Sequence, residues 1–209
     1  MKLVRTIKSW LAERYDIGVV ETFVDEQAHK PLPPHTGFWH VFGTLSLYLF
    51  INQIVTGILL MIYYRATPDT AFESIRFIMT KAHFGWLIRG LHAWGSTMMI
   101  LCALVHMCRT YFMGAYKKPR ELTWVLGVLS LGCTVTFGFT GYLLPWNQLS
   151  YWATTVGTEI TGVIPWAGQY MMTLLRGGDG VTGETLSRFY VMHVVVLPWV
   201  LTGLVAVHL

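Results

Sequence analysis

Apolar residues concentrate in four long segments of the chain, which cover residues 37–63, 87–112, 122–145 and 188–209. A helix needs about 20 apolar residues to cross a bilayer, so each segment is long enough to span one. The composition agrees with this pattern, because 54% of the 209 residues are hydrophobic and 12% are charged, whereas soluble domains carry about 25% charged residues. The sequence therefore predicts an all-α integral membrane protein with four transmembrane helices.

The first 35 residues lack such a segment and are predicted to form an amphipathic arm and a connector. In residues 1–16 the larger apolar side chains recur at helical spacing among basic residues, at Leu3, Ile7, Trp10 and Leu11. A helix with this pattern lies along the membrane surface. Residues 17–35 hold the prolines of a polar connector, at Pro31, Pro33 and Pro34. The predicted division is 1–35 for the arm and connector and 36–209 for the membrane domain.

Basic residues are unevenly distributed between the two ends of the predicted bundle. The short loop 113–121 carries Lys117, Lys118 and Arg120, and it shares one end with the N-terminal arm when the spans are counted. That end holds nine lysine and arginine residues, and the other end holds six. Because such residues favour the cytoplasmic side, we expect both chain ends to face the cytoplasm, matrix or stroma. The net charge of +4 follows from this topology and predicts no nucleic-acid partner.

Four histidines form the strongest candidate site, in two pairs inside the second and fourth predicted spans. His92 and His106 are 14 residues apart, and His193 and His208 are 15 residues apart. In an α-helix these separations place the second imidazole about 21–22 Å along the axis and within about 40–60° of the first. Two such helices could bind two stacked haems, since haem iron takes imidazole ligands from both sides. The alternative is four unrelated histidines that hydrogen-bond between helices.

Two glycine pairs repeat the 14-residue separation, Gly43 with Gly57 in the first span and Gly127 with Gly141 in the third. A macrocycle held between four helices approaches the flanking backbones closely, and glycine has no Cβ to obstruct it. Glycine also serves ordinary helix–helix contact in membranes, which is the alternative. The spacing that the glycines share with the histidines favours the macrocycle.

Arg89 and Arg109 each lie three residues from a histidine, and so one helical turn away on nearly the same face. An arginine there could pair with a haem propionate, because guanidinium binds carboxylates in a bidentate and permanently charged way. Snorkelling of the two side chains to lipid headgroups is the alternative. No Cys-x-x-Cys-His motif occurs, which excludes c-type haem attachment through that motif.

Four short motifs resemble signatures of the cytochrome b family. They are residues 84–89 (FGWLIR), 117–124 (KKPRELTW), 141–148 (GYLLPWNQ) and 188–190 (RFY). The resemblance covers nearly the whole chain and corresponds to the N-terminal, haem-bearing part of that family. The 15-residue separation in the fourth span is similar to that of cytochrome b6 and its bacterial relatives. This resemblance implies a cell inner membrane, crossed several times, with the N-terminus in the cytoplasm.

The resemblance implies two non-covalent haem b groups. His92 and His193 would hold the low-potential haem on the positive side, and His106 and His208 the high-potential haem on the negative side. Relatives of the b6 type tether a further haem to a cysteine, but Val41 stands at that position here, so a covalent third haem is not implied. The glycines and arginines named above would contact the two haems.

The resemblance also implies the cytochrome b subunit of a quinol-oxidising, proton-translocating complex of the bc type. Such a complex is a quinol:cytochrome c or plastocyanin oxidoreductase, which this chain could not form alone. The implied partners are quinol and quinone, a C-terminal cytochrome b part like subunit IV, a Rieske iron–sulfur protein, a c-type cytochrome and lipid, in a dimeric complex. One wall of the quinol pocket is implied at Thr140, Tyr142, Ala153 and Val156. We expect the fourth span to continue beyond Leu209.

Two other functions fit part of the pattern. A dihaem membrane anchor that passes electrons between a dehydrogenase or hydrogenase and the quinone pool would explain the spans and histidines. It would not explain the long loop after the third span, in which a surface helix is predicted over residues 149–163. A structural or ion-conducting bundle is less favoured, since no carboxylate lies within a predicted span.

Overall fold

The computed structural model describes residues 2–29, 31 and 36–209 of the chain. Pro33 and Pro34 of the predicted connector lie outside these described residues. The described residues form helices joined by turns, with no β-strand among them, which confirms the predicted all-α class. The chain divides into two compact units, residues 1–38 and 39–209.

The N-terminal unit contains two helices, α1 (Lys2–Ala12) and α2 (Gly18–Ala28). α1 exposes apolar side chains predicted to face the membrane surface, at Leu3, Ile7 and Trp10. Lys8 Nζ pairs with Glu21 Oε1 at 2.8 Å and links the two helices. α2 lies within the segment predicted as a connector, and Asp16 Oδ1 accepts the N–H of its first residue, Gly18, at 3.1 Å.

The second unit contains eight further helices, all within the described part of the chain. They are α3 (Val41–Met61), α4 (Ala71–Thr80), α5 (Gly85–Phe112), α6 (Glu121–Leu143), α7 (Gln148–Gly162), α8 (Gly168–Arg176), α9 (Gly183–Val191) and α10 (Leu197–His208). A π-helical segment, Met192–Val196, joins α9 to α10. Among the described residues, four stretches are long and apolar enough to cross a membrane, at Phe38–Met61, Gly85–Phe112, Glu121–Leu143 and Gly183–His208. The four predicted transmembrane helices are thus confirmed.

The connections between the spans are more helical than the sequence predicted. α4 and α8 lie in segments predicted as loops, whereas α7 confirms the helix predicted over residues 149–163. The fourth span begins at Gly183 rather than at residue 188. Its start is a capping box, in which Thr182 Oγ1 accepts the Glu184 N–H at 3.3 Å and Thr185 Oγ1 accepts the Thr182 N–H at 2.9 Å.

The long helices pack most extensively in two pairs, α3 with α5 and α6 with α10. The order of the crossings places α4, α7 and α8 at one end of the bundle, called here the α4 end, and the α5–α6 loop at the opposite end. A buried apolar core lies at the α4 end, formed by Ala71, Leu143, Leu186 and Phe189. A second buried cluster lies midway along the long helices, formed by Phe50, Met99 and Leu201.

Tyr64 fixes the segment after α3 to the end of α6. Its hydroxyl donates a hydrogen bond to the Leu144 carbonyl at 2.8 Å, and its ring centroid lies 5.5 Å from that of Tyr190. Burial, reinforced by Tyr190, raises the pKa of the Tyr64 phenol well above its usual value. The hydroxyl therefore stays protonated and remains a donor. Its hydrogen bond holds the segment after α3 against the 141–148 motif at the end of α6.

Candidate cofactor sites

The four histidines form two pairs across the bundle. His92 on α5 faces His193, with ring centroids 6.2 Å apart and an angle of 67° between the ring planes. His106, further along α5, faces His208 on α10, with centroids 6.3 Å apart and an angle of 76°. The structure therefore pairs the histidines that helix periodicity predicts to lie at the same depth in the membrane. One pair lies at the α4 end and the other at the opposite end.

The π-helical segment explains how unequal sequence separations give matched positions. His193 lies within this segment, Met192–Val196, whereas the helix between His92 and His106 is α-helical throughout. A π-bulge accommodates one extra residue in a helix without ending it. The 15-residue separation in the fourth span therefore brings His208 back toward the face of His193, as 14 residues do in α5.

A glycine lies against each of the four imidazole rings. A Cβ built on Gly43 would lie 3.0 Å from His106 Cε1, and one on Gly57 would lie 3.3 Å from His92 Cε1. On α6, a Cβ at Gly127 would lie 2.9 Å from His208 Cε1, and one at Gly141 would lie 2.6 Å from His193 Cε1. Ordinary contacts between carbon atoms are about 3.5–4.0 Å. These glycines thus provide space for the histidine rings, and their predicted role beside a macrocycle stays a prediction.

Three of the four histidines have a hydrogen-bond partner at Nδ1. His92 Nδ1 lies 2.9 Å from Thr56 Oγ1, and His193 Nδ1 lies 3.1 Å from Thr140 Oγ1. His208 Nδ1 lies 3.0 Å from the Thr123 carbonyl oxygen, which can only accept, so this ring carries its proton on Nδ1. Sequence analysis missed Thr56 and Thr123, because the partners come from different helices. With Nδ1 engaged, Nε2 is the ring nitrogen left for a ligand.

The pair at the opposite end adjoins a cavity of about 420 Å³. His106 and His208 line it together with Arg109, Arg120 and His40. A guanidinium nitrogen of Arg109, Nη2, contacts His40 Nε2, while the Nε atom of Arg109 is buried and has no hydrogen-bond partner among the described residues. The cavity therefore contains space, two imidazoles and a guanidinium with an unused donor. Two of the residues that line this cavity, His40 and Arg120, were not predicted as site residues from the sequence.

The spacing of the rings fits a metal ion between the members of each pair. Metal–imidazole bonds in proteins are about 2 Å long, so two imidazoles on opposite sides of one ion place their ring centroids about 6 Å apart. Both pairs show that separation, at 6.2 and 6.3 Å. The paired imidazoles would therefore hold a haem iron, and the four glycines would leave space for its macrocycle.

The residues predicted to wall a quinol pocket lie on different surfaces. Thr140 is fully buried and contacts His193, whereas Tyr142 is 48% exposed and Val156 is 55% exposed. Two residues apart on α6, Thr140 and Tyr142 point about 200° apart around the helix. Ala153 is partly buried on α7. A role for these four residues in a quinol pocket stays a prediction.

Arg176 is a buried residue whose role the sequence did not reveal. It is 5% exposed, and its guanidinium donates to Thr158 Oγ1 at 2.7 Å, to the Thr155 carbonyl at 3.0 Å and to the Asp179 carbonyl at 3.2 Å. Glu159 Oε1 lies 3.4 Å away. Arg176 therefore ties the end of α8 to α7 and to the loop before α9.

Comparison with known proteins identifies the family of this chain. The family model described as cytochrome b/b6/petB matches residues 27–209. The chain belongs to the cytochrome b/b6 family. The resemblance found in the sequence motifs is therefore confirmed, and membership of this family implies haem binding.

The relatives of this cytochrome b come from both bc and b6 groups. It is 46% identical over 204 residues to a cytochrome bc complex cytochrome b subunit of Chlorobaculum thiosulfatiphilum, covering 97% of this chain and 47% of that protein. It is 45% identical over 192 residues to cytochrome b6 of Auxenochlorella protothecoides, covering 92% of this chain and 88% of that protein. A solved chain described as hyperthermophilic respiratory Complex III matches with a TM-score of 0.85 and 36% identity, over 96% of this chain and 53% of that one.

This chain spans about half the length of the bc-type relative and of the Complex III chain, at 47% and 53%. It spans most of the length of cytochrome b6, at 88%. Its matched part includes all four histidines and all four spans. The chain is thus a multi-pass membrane protein of this family.

Proposed function

We propose that this cytochrome b carries electrons across the membrane through two non-covalent b-type haems, as a subunit of a quinol-oxidising, proton-translocating complex of the bc type. The observation that carries the proposal is the presence of two facing histidine pairs, 6.2 and 6.3 Å between ring centroids, with a glycine against every ring. When bound, haem would supply one-electron chemistry at its iron. The protein supplies ligands, space and charge.

Each haem would take one ligand from α5 and one from the fourth span. His92 and His193 would hold the haem at the α4 end, which is the low-potential haem on the positive side by analogy with the family. His106 and His208 would hold the high-potential haem on the negative side. Gly57 and Gly141 would clear the backbone around the first haem, and their counterparts Gly43 and Gly127 would do so around the second.

The thickness of the membrane gives a physical reason for two haems. The hydrocarbon layer is about 30 Å thick, and 14 residues of helix separate the ligands on α5 by about 21 Å. Two flat cofactors at these depths divide the crossing into short transfers. Between the two pairs lie Phe50, Met99 and Leu201, which form a buried apolar layer. This layer favours the passage of electrons over that of hydrated ions.

Arg109 and Arg89 would pair with haem propionates at opposite ends of the bundle. Arg109 faces the cavity beside His106 with an unused Nε donor, which a carboxylate would satisfy. Arg89 lies one turn from His92, and its Nη1 contacts Met79 Sδ at 3.5 Å. A thioether sulfur is a weak acceptor, so a carboxylate would compete successfully for this guanidinium.

The complete quinol pocket would require a second membrane polypeptide. α7 and the end of α6 would form one wall, with Tyr142, Ala153 and Val156 as lining residues and Thr140 behind them. A C-terminal cytochrome b part like subunit IV would form the other wall. A Rieske iron–sulfur protein and a c-type cytochrome would complete the electron path. We place the dimeric complex in a cell inner membrane, with the N-terminus in the cytoplasm and no covalent third haem at Val41.

Purification from native membranes in a gentle detergent tests this proposal. We expect the chain to co-purify with a smaller hydrophobic subunit and an iron–sulfur protein. The purified complex should transfer electrons from quinol to a c-type cytochrome, and inhibitors of the positive-side quinol pocket should stop that transfer. Reduction of the haems by an attached dehydrogenase or hydrogenase, with no effect of such inhibitors, would instead favour a dihaem anchor. Full quinol oxidation by the isolated chain would contradict the two-polypeptide pocket.

A further inference from the structure

A threonine precedes the glycine at one histidine pair but not at the other. At the α4 end the flanking helices carry Thr56-Gly57 in α3 and Thr140-Gly141 in α6. At the opposite end, the corresponding glycines follow Phe42 and Leu126. The two helices thus present the same dipeptide to the two rings of a single site. This repeat is not explained by the need for space alone, because the glycines provide the space at both ends.

The bonds of these two threonines to backbone carbonyls show whether threonine Oγ1 or histidine Nδ1 is the donor in each threonine–histidine contact. Thr56 Oγ1 donates to the Asn52 carbonyl at 2.6 Å, and Thr140 Oγ1 donates to the Thr136 carbonyl at 2.9 Å. A hydroxyl has a single hydrogen, so toward the histidine each oxygen can only accept. The proton of His92 and of His193 therefore lies on Nδ1, and the lone pair lies on Nε2. Each threonine selects the ring tautomer that can bind a metal through Nε2.

The opposite end lacks this arrangement. His208 Nδ1 donates to a backbone carbonyl, that of Thr123, at 3.0 Å. His106 Nδ1 is buried and has no hydrogen-bond partner among the described residues. Among the described residues, a side-chain oxygen therefore accepts from histidine Nδ1 at the α4 end and not at the opposite end. Thr56 is 4% exposed and Thr140 is fully buried, so water does not readily replace either hydroxyl.

We infer that Thr56 and Thr140 are positioning residues that fix and tune the two haem ligands at the α4 end. This inference rests on the proposed function. A partner that accepts from the second ring nitrogen orients the imidazole and raises its basicity. A more basic ligand stabilises oxidised iron relative to reduced iron. The two hydroxyls therefore lower the midpoint potential of the haem at the α4 end, and they leave the other haem unaffected.

Replacing each hydroxyl by a methyl group in the intact complex tests this role. Thr56→Val and Thr140→Val keep the branched shape but remove the acceptor, and the serine variants at both positions keep it. Thr202→Val is the matched control, because Thr202 makes the same kind of bond, to the Pro198 carbonyl at 2.7 Å, on an exposed face. Redox titration gives the two midpoint potentials, and electron paramagnetic resonance of the oxidised haems reports the orientation of their ligands.

We expect each valine variant to shift the redox equilibrium of the α4-end haem about tenfold toward the reduced form, which is a rise of about 59 mV for one electron. The resonance of that haem should also move, while the other haem and the Thr202→Val complex stay unchanged. The serine variants should restore wild-type values. If a valine variant loses the haem of this site, its retention in the serine variant supports the inference.

Three results would overturn the inference. One is an unchanged potential and resonance in both valine variants. Another is an equal shift in the Thr202→Val control. The third is a serine variant that behaves like the valine variant, which would show that side-chain shape matters and the hydroxyl does not. Failure of the wild-type complex to contain two b haems would instead contradict the proposed function, so the two failures can be told apart.

Discussion

Replacing Gly141 by alanine is the smallest change that should disturb one haem site and leave the other intact. The added Cβ would lie 2.6 Å from His193 Cε1, whereas carbon atoms in contact stay about 3.5–4.0 Å apart. The imidazole must therefore retreat by about 1 Å. Metal–ligand distances vary by only about 0.2 Å in functional sites, so we expect Gly141→Ala to weaken or lose the haem held by His92 and His193.

Other glycines of the same bundle provide a graded comparison. At Gly57 the added Cβ would lie 3.3 Å from His92 Cε1, which requires a shift of only a few tenths of an ångström, and the haem should be retained with an altered spectrum. Gly132 lies on α6 like Gly141, but nothing lies within 4 Å of its built Cβ. Gly132→Ala should keep both haems and gain up to about 1 kcal/mol of helix stability.

Haem content per chain, measured as the pyridine haemochrome, and the reduced-minus-oxidised spectrum of each purified variant complex test this order. We expect the loss of haem to be largest for Gly141→Ala, smaller for Gly57→Ala and absent for Gly132→Ala. Two normal haems in Gly141→Ala would contradict the expected loss. That result would show that the close approach of Gly141 to His193 is not needed once the haem is bound, and that these glycines serve helix packing.

Three further changes have distinct expected results. His106→Ala should remove only the haem at the opposite end, because each haem takes one ligand from α5; a redox titration that lost both components from a folded complex would contradict this. Arg109→Gln should lower the midpoint potential of that haem by about 40 mV, since a lost cation–propionate interaction of about 1 kcal/mol favours oxidised iron. An unchanged potential would favour the alternative, in which Arg109 contacts lipid headgroups. Arg176→Gln should cost about 3 kcal/mol, because it leaves buried acceptors unpaired, and should lower the Tm of the complex more than Arg76→Gln, which breaks an exposed ion pair with N···O 3.2 Å. Equal Tm values for the two arginine variants would show that α7 and α8 do not depend on Arg176.

The positions of the histidines and glycines could be predicted because they depend on helix periodicity alone. Once His92 and His106 lie on a continuous helix, their depth and direction follow from its rise and turn. The same reasoning left the unequal 15-residue separation in the fourth span without a structural explanation. The explanation is the π-helical segment at Met192–Val196, which no pattern of polar and apolar residues indicates.

The contacts that hold the rings could not be predicted, because they depend on distances between helices. Thr56 and His92 are 36 residues apart, and Thr123 and His208 are 85 residues apart. A threonine in an apolar helix looks the same in sequence whether it bonds only its own backbone or also a neighbouring ring. Arg176 likewise looks like an ordinary loop charge in the sequence, although its guanidinium is buried among hydroxyl and carbonyl oxygens.

The short helices between the spans were missed for a related reason. α4 has only ten residues and α8 only nine, and helices of that length depend on tertiary packing for most of their stability. Ala71 of α4 is fully buried against the apolar core at the α4 end, and Arg176 fastens α8 to α7. Neither stabilising contact is visible along the sequence.

The number of haems per chain and the ligands of their iron decide whether this chain carries electrons through two b-type haems. In the purified complex, we expect two haem b groups on this chain, released by acidic acetone because no covalent bond holds them. A redox titration should resolve two one-electron components, and electron paramagnetic resonance should show both irons low-spin with two imidazole ligands. A single haem, no haem, or high-spin iron with one histidine ligand would contradict the account.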